Sequence, residues 1–259
     1  MKNIFKNLIL ANILAGISLF GPFATNLCAL GITLDPGHGG DAPGCVYEYD
    51  GEAIQEKDLN YKIALFIKDK LSEYKTKDGK EVKVNLTRDN ENENPTLSER
   101  VELGVKSGSD IVISLHNNAT ASGKSATRGS MVLVTSCRAS AHYGVEEKLG
   151  KIILKELNKI GLQIQTAGNN VEQKTTNTNG LLRRLSTDGS TYSNGCTTDW
   201  YGIISHGIKK NIPSILIEHA YLSNEEDYRE FLSTDEKLKK LANADVKGIA
   251  KYYGLVAKK

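Results

Sequence analysis

The chain has 259 residues, 39% hydrophobic and 25% charged, which fits a soluble globular protein with enough length for one large domain. Its 33 basic side chains nearly match its 31 acidic ones, which excludes the basic footprint of a nucleic-acid binder.

Lys2 and Lys6 precede an apolar stretch over residues 8–20, and small residues follow over 24–29. This is the layout of a secretory signal peptide at 1–29, with an uncleaved membrane anchor as the alternative. Without Lys2 and Lys6 the remaining domain, 30–259, has an even charge balance. Cys28 falls in the leader, and Leu27 before it is not the small residue that lipidation wants. Cys45, Cys137 and Cys196 then remain, and their odd number and wide spacing argue against a disulfide framework or a cysteine zinc site.

In chain order, residues 32–35 read as a buried strand. Beyond a Gly-rich polar loop, Leu59, Ile63, Phe66, Ile67, Leu71 and Tyr74 predict an amphipathic helix over 57–74. Residues 81–87 alternate as a strand. Thr96 and Glu99 form a capping box, so a helix should run to Lys106 with Val101 and Val105 facing inward. Strands at 111–115 and 130–135 follow, then a helix marked by Leu149, Ile152, Ile153, Leu157 and Ile160. Periodicity disappears between 161 and 199, where Asn, Thr, Ser and Gly predict a long substrate-facing loop. An apolar strand over 212–218 ends in Glu218. Ser223 with Glu226 and Ser233 with Glu236 predict two more capping boxes, and the last helix sets Leu238, Ala242, Val246, Ile249 and Tyr253 on one face.

Alternating strands and helices imply an α/β fold, with a sheet covered on both sides and ligands at the carboxyl ends of its strands. His38, His116 and Glu218 all lie at such ends. Glycines around His38 let backbone and ligand come close, so the two histidines are candidates to hold one metal ion. Asp35 either orients a metal ligand or is a simple turn residue before Pro36 and Gly37. Alternation aims His219 at the face opposite Glu218, so a structural role is expected for it, and a surface position for His142. The absence of His-Glu-x-x-His excludes a zincin-type helix site, and the cysteines lack an activating base.

Several segments in order then carry a resemblance: Asp35-Pro36-Gly37-His38-Gly39-Gly40, Glu56-Lys57, Leu86-Thr87-Arg88, Leu97-Ser98-Glu99-Arg100, Ser114-Leu115-His116-Asn117-Asn118-Ala119, and the run from Ile217 through Glu218 and His219 to Asn224. Together they resemble the zinc-dependent N-acetylmuramoyl-L-alanine amidases of the amidase 3 family. The likeness extends over residues 31–254. It implies a single α/β domain with a central twisted mixed β-sheet flanked by helices on both faces. It also implies one zinc ion on His38, Glu56 and His116, with Glu218 catalytic. By spacing alone Glu48 and Glu52 compete with Glu56, which the following Lys57 and the helix onset select.

The resemblance makes peptidoglycan the expected partner, for a secreted or cell-wall-associated monomer in bacteria with no nucleic-acid partner and no membrane partner beyond the leader. Asn117, Arg183 and His206 are candidate substrate contacts; Arg183 and Arg184 either meet peptide carboxylates or are merely solvated. Alternatives are another zinc hydrolase of wall polymers, a peptidase or deacetylase, or a non-catalytic peptidoglycan-binding domain.

Overall fold

The computed structural model describes residues 29–258, so the expected leader, Ala29 apart, lies outside the described residues. The chain runs through β1 (Leu30–Pro36), β2 (Val46–Tyr49), β3 (Glu52–Gln55), α1 (Glu56–Leu71), β4 (Tyr74–Lys75), β5 (Val82–Leu86) and α2 (Leu97–Lys106). It continues with β6 (Ile111–Asn118), β7 (Met131–Leu133), α3 (Tyr143–Lys159), β8 (Thr175–Thr178), β9 (Leu181–Arg184) and α4 (Gly202–Lys209). The last elements are β10 (Ser214–Tyr221), α5 (Glu225–Asp227), a π-helical turn at Tyr228–Leu232, α6 (Asp235–Tyr253) and β11 (Val256–Ala257).

Seven strands form one sheet in the order β5-β1-β6-β10-β7-β9-β8. Strands β5, β1, β6 and β10 are mutually parallel, β7 runs antiparallel to β10, and β8 antiparallel to β9, so the sheet is mixed as expected. Its two faces follow from strand alternation. Ile32, Leu34, Ile113, Leu115, Ile215 and Ile217 enter the larger core with α1, α3 and α6. Val112, Leu133 and Leu216 enter a second core with Val101 of α2 and Ile203 and Ile204 of α4. The first halves of the central strands are largely apolar because both of their faces are covered.

The Thr96–Glu99 capping box forms as expected, with the Thr96 hydroxyl accepting from the Glu99 N–H and the Glu99 carboxylate from the Thr96 N–H. Other expectations shift. Val105 is exposed at 45%; Gly104 faces the sheet instead, where any side chain would collide with Val112. The later caps fall one residue on, at Asn224 and Thr234, which accept from the N–H groups of Asp227 and Lys237. Ser223 instead accepts from the Thr120 N–H, a long-range demand that local spacing does not reveal.

Two segments expected to be loops contain hairpins. β2 and β3 turn at Asp50 and Gly51, β8 and β9 at Asn179 and Gly180, and all four residues have positive φ as a type I′ turn requires. Both dipeptides are legible turn signals; the polar strands beside them hid the pairing. Cys137 and Cys196 also form a disulfide, with Cα atoms 5.7 Å apart, which corrects the expectation against disulfides. The fold closes a separation of 59 residues in sequence, and Cys45 is the odd thiol left free.

Glu146 of α3 joins the end of β7 to the start of β10. Its fully buried carboxylate accepts from the Thr135 N–H at 2.8 Å and the Ser214 N–H at 3.1 Å. Burial pushes this carboxyl up to about 8. Replacing it by alanine strands two buried donors, each costing roughly 1–3 kcal/mol. Glu146→Ala should therefore lose about 2–6 kcal/mol of unfolding free energy in urea; an unchanged midpoint would refute this tie.

Candidate metal centre

The parallel register of β1, β6 and β10 sets the stage. Asp35 lies opposite Ser114, and Glu218 opposite His116, so the carboxyl ends of the three strands form one rim. His38 follows β1 with a φ of +62°, a left-handed conformation that turns the chain immediately after the strand. Gly37 permits the approach: a side chain there would overlap the His116 ring. Glu56 reaches the rim from the first residue of α1, where the helix dipole favours a carboxylate.

The Glu56 carboxylate sits between the two imidazoles. Its Oε2 lies 3.1 Å from His38 Nε2, and its Oε1 lies 3.0 Å from His116 Nδ1. It also accepts from the Cys45 N–H at 3.0 Å, the Asn117 N–H at 3.1 Å and the Asn60 amide at 3.2 Å. Burial opposes ionisation of Glu56, yet the hydrogen bonds and charges of His116 and His38 outweigh it and hold the carboxyl far below the usual range. Burial likewise opposes a charge on His116, but the Glu56 carboxylate pulls its imidazole above the ordinary value. The site is built to hold one negative charge that seeks a positive partner.

The donor set fits zinc. One ligand atom from each of His38, Glu56 and His116 lies within 4.8 Å of the others, and a tetrahedral ion with bonds of about 2 Å needs donors roughly 3.3 Å apart. Among the described residues this is the metal-compatible cluster found. Beside it, Glu218 Oε2 is buried without a hydrogen-bond partner, a costly state for a carboxylate unless a ligand supplies one. Burial pushes the Glu218 carboxyl up to about 7, the His116 and His219 imidazoles opposing the rise and the Glu56 charge adding to it.

Asp35 does not touch either histidine. Its buried carboxylate pairs with Arg100 at 2.7 Å and accepts from Thr87 and Ser114. Arg100 in turn donates to the carbonyls of Pro36 and His38, to Asn94 and to Pro95. Arg88, also buried, donates to the carbonyls of Pro36, Lys57 and Asn90. These two arginines hold the His38 loop against the start of α1. They stand in the motifs quoted above, but sequence reasoning assigned them no role, because their partners are main-chain carbonyls.

The three residues expected to contact substrate occupy different surroundings. Asn117 is 1% exposed and donates its amide to Asn60, behind Glu56. Arg183 pairs with Glu147 of α3 at 2.8 Å, on the face of β9 opposite its neighbour Arg184. His206 lies in the last turn of α4, where partial burial and the charges of Lys209 and Lys210 hold its imidazole below the ordinary value. His219 is fully buried between the His116 carbonyl and Asp245, the structural position expected from alternation.

The chain is 28% identical over 233 residues to the N-acetylmuramoyl-L-alanine amidase AmiC of Escherichia coli O6:H1, an alignment covering 86% of this chain and 52% of that protein. The chain thus spans about half the length of that curated relative. Among solved structures, the CwlD amidase of Clostridioides difficile, in complex with the GerS lipoprotein, matches with a TM-score of 0.58 and 25% identity over 87% of this chain and 98% of that one. The amidase Ami1 of Mycobacterium smegmatis shares the fold, with a TM-score of 0.62 and 21% identity over 87% and 97%. A family model described as N-acetylmuramoyl-L-alanine amidase matches residues 32–251, and the chain belongs to that family.

Proposed function

We propose that this chain hydrolyses the amide bond between the lactyl group of N-acetylmuramic acid and L-alanine in peptidoglycan, with one zinc ion on His38, Glu56 and His116. The observation that carries this reading is the buried Glu218 Oε2, without a hydrogen-bond partner, beside a His-Glu-His cluster in a chain of the amidase family. Zinc held there would polarise the scissile carbonyl and acidify a water to a pKa of about 7.

Glu218 is the group that moves the proton. With its carboxyl pushed up to about 7, it is matched to accept a proton from the attacking water near neutral pH. It then returns that proton to the departing nitrogen, so that L-alanine leaves as a neutral amine rather than an anion. Glu56 keeps its charge through its hydrogen bonds and orients both imidazoles. Export across the membrane is supported by the leader pattern at 1–29.

Digestion of purified peptidoglycan separates this reading from a peptidase or deacetylase. New L-alanine amino termini are expected in mass spectra, without new reducing ends or acetate; acetate release, or a peptide bond cut further along, would overturn it. Glu218→Gln should retain zinc while lowering turnover on the order of 10²- to 10⁴-fold; full activity in that variant would remove Glu218 from the chemistry. His116→Ala should lose both bound zinc, read by metal analysis, and activity. Zinc retention at wild-type affinity would disprove its role as ligand.

A further inference from the structure

The metal centre lies between two clefts of similar size. One, of about 310 Å³, opens between His38, His116 and the start of α2, with Pro95 and Leu97 on its far wall. The other, of about 320 Å³, extends over β7 and β9 on the far side of Glu218. Its continuity with the centre follows from the register: Met131 pairs with Glu218, and Tyr221 pairs with Asn118 two residues beyond His116.

Their charge differs. Arg100 lines the first cleft, but all five of its N–H groups are engaged, by Pro95, Asp35, Pro36, His38 and Asn94. Arg184 lines the second, and its Nε is buried without a hydrogen-bond partner. Among the described residues that line the two clefts, it is the cation with a donor still free. Among the described residues no carboxylate lines the second cleft to neutralise it; its polar walls include Asn118, Gln165, Gln173, Tyr201 and Tyr221.

Arg184 is also held in place. Its guanidinium lies 4.2 Å from the centre of the Trp200 ring, and the Trp200 N–H donates to the Arg184 carbonyl at 2.8 Å, which fixes the stacking plate beside it. Tyr201 shares the wall of this cleft with Arg184; burial and the Glu218 charge push its phenol up, while Arg184 acts in the opposite sense. A planar, pre-positioned guanidinium with a free donor fits a carboxylate better than a neutral sugar.

We propose that Arg184, stacked on Trp200, forms a carboxylate-binding subsite that takes the peptide arm of the substrate into the cleft over β7 and β9. The inference rests on the amidase reading above for the identity of the two arms. The muramic acid's own carboxyl is consumed in the scissile amide and the N-acetyl sugars are neutral, so every remaining carboxylate belongs to the peptide. Arg183, one residue earlier, is turned to the other face of β9 and takes no part.

Binding of the released peptide, measured by calorimetry on the zinc-loaded protein, tests the subsite without requiring turnover. Two forms of the peptide serve as probes, one with free carboxylates and one with them amidated. The wild type should bind the free acid on the order of 10- to 100-fold more tightly, the worth of a charge-assisted hydrogen bond to a buried partner. Arg184→Gln should bind both forms alike, at the amidated form's affinity, and Arg183→Gln should keep the wild-type preference. Trp200→Leu, which leaves the charge and removes the plate, should lower that preference several-fold and covers the case in which Arg184→Gln fails to fold.

Equal binding of the two forms by the wild type overturns the subsite, as does an undiminished preference in Arg184→Gln. If Arg184→Gln abolishes the preference but the wild type releases no L-alanine amino termini from peptidoglycan, the subsite stands and the amidase reading falls.

Discussion

A single buried carboxylate organises the working end of this molecule. Glu56 binds two imidazoles, two main-chain N–H groups and one side-chain amide at once, and these come from the loop after β1, the residue before β2, the helix α1 and the strand β6. Taking such a group out of water costs several kcal/mol unless each oxygen is satisfied. The geometry around it is therefore narrowly constrained. A displacement of any of the four segments would leave a buried charge short of partners, and the same charge suits a cluster that could hold a metal ion.

A second layer of buried charge protects that constraint. Asp35, Arg100 and Arg88 do not reach the histidines, but they tie the carbonyls of Pro36, His38 and Lys57 into one network. The His38 carbonyl lies in a left-handed turn outside any sheet or helix, so a side chain must supply its donor. Arginine suits this task because its five donors diverge in one plane and can meet several carbonyls together. Leu86-Thr87-Arg88 and Leu97-Ser98-Glu99-Arg100 thus serve the His38 loop, although one follows a strand and the other opens a helix.

The distal half of the sheet has a different character. β7, β9 and β8 are short, and the chain beyond them is fastened by side chains and by the Cys137–Cys196 disulfide rather than by regular structure. Asp199 illustrates this: its carboxylate accepts from the Thr135 hydroxyl, the Ser136 N–H and the Tyr192 hydroxyl, which carries Trp200 and Tyr201 to the sheet. The surface expected to be a long polar loop is in part a hairpin of the main sheet, and that hairpin aims Arg183 and Arg184 to opposite sides.

Much was legible in the order of residues alone. Apolar runs bounded by turns mark β1, β6 and β10 because those strands are buried on both faces, and the rim residues His38, His116 and Glu218 stand out because each ends such a run. The amphipathic spacing of α1, α3 and α6 and the capping box of α2 are local signals, set by contacts within a few residues. What the tertiary structure alone decided is non-local. That Cys137 meets Cys196, that Asn117 donates to Glu56, that Gly104 replaces Val105 at the core, and that Arg183 and Arg184 line different clefts all depend on which segments the sheet brings together. Spacing along a chain reports the period of one element, while the partner of a polar side chain is fixed only when two distant elements share a register.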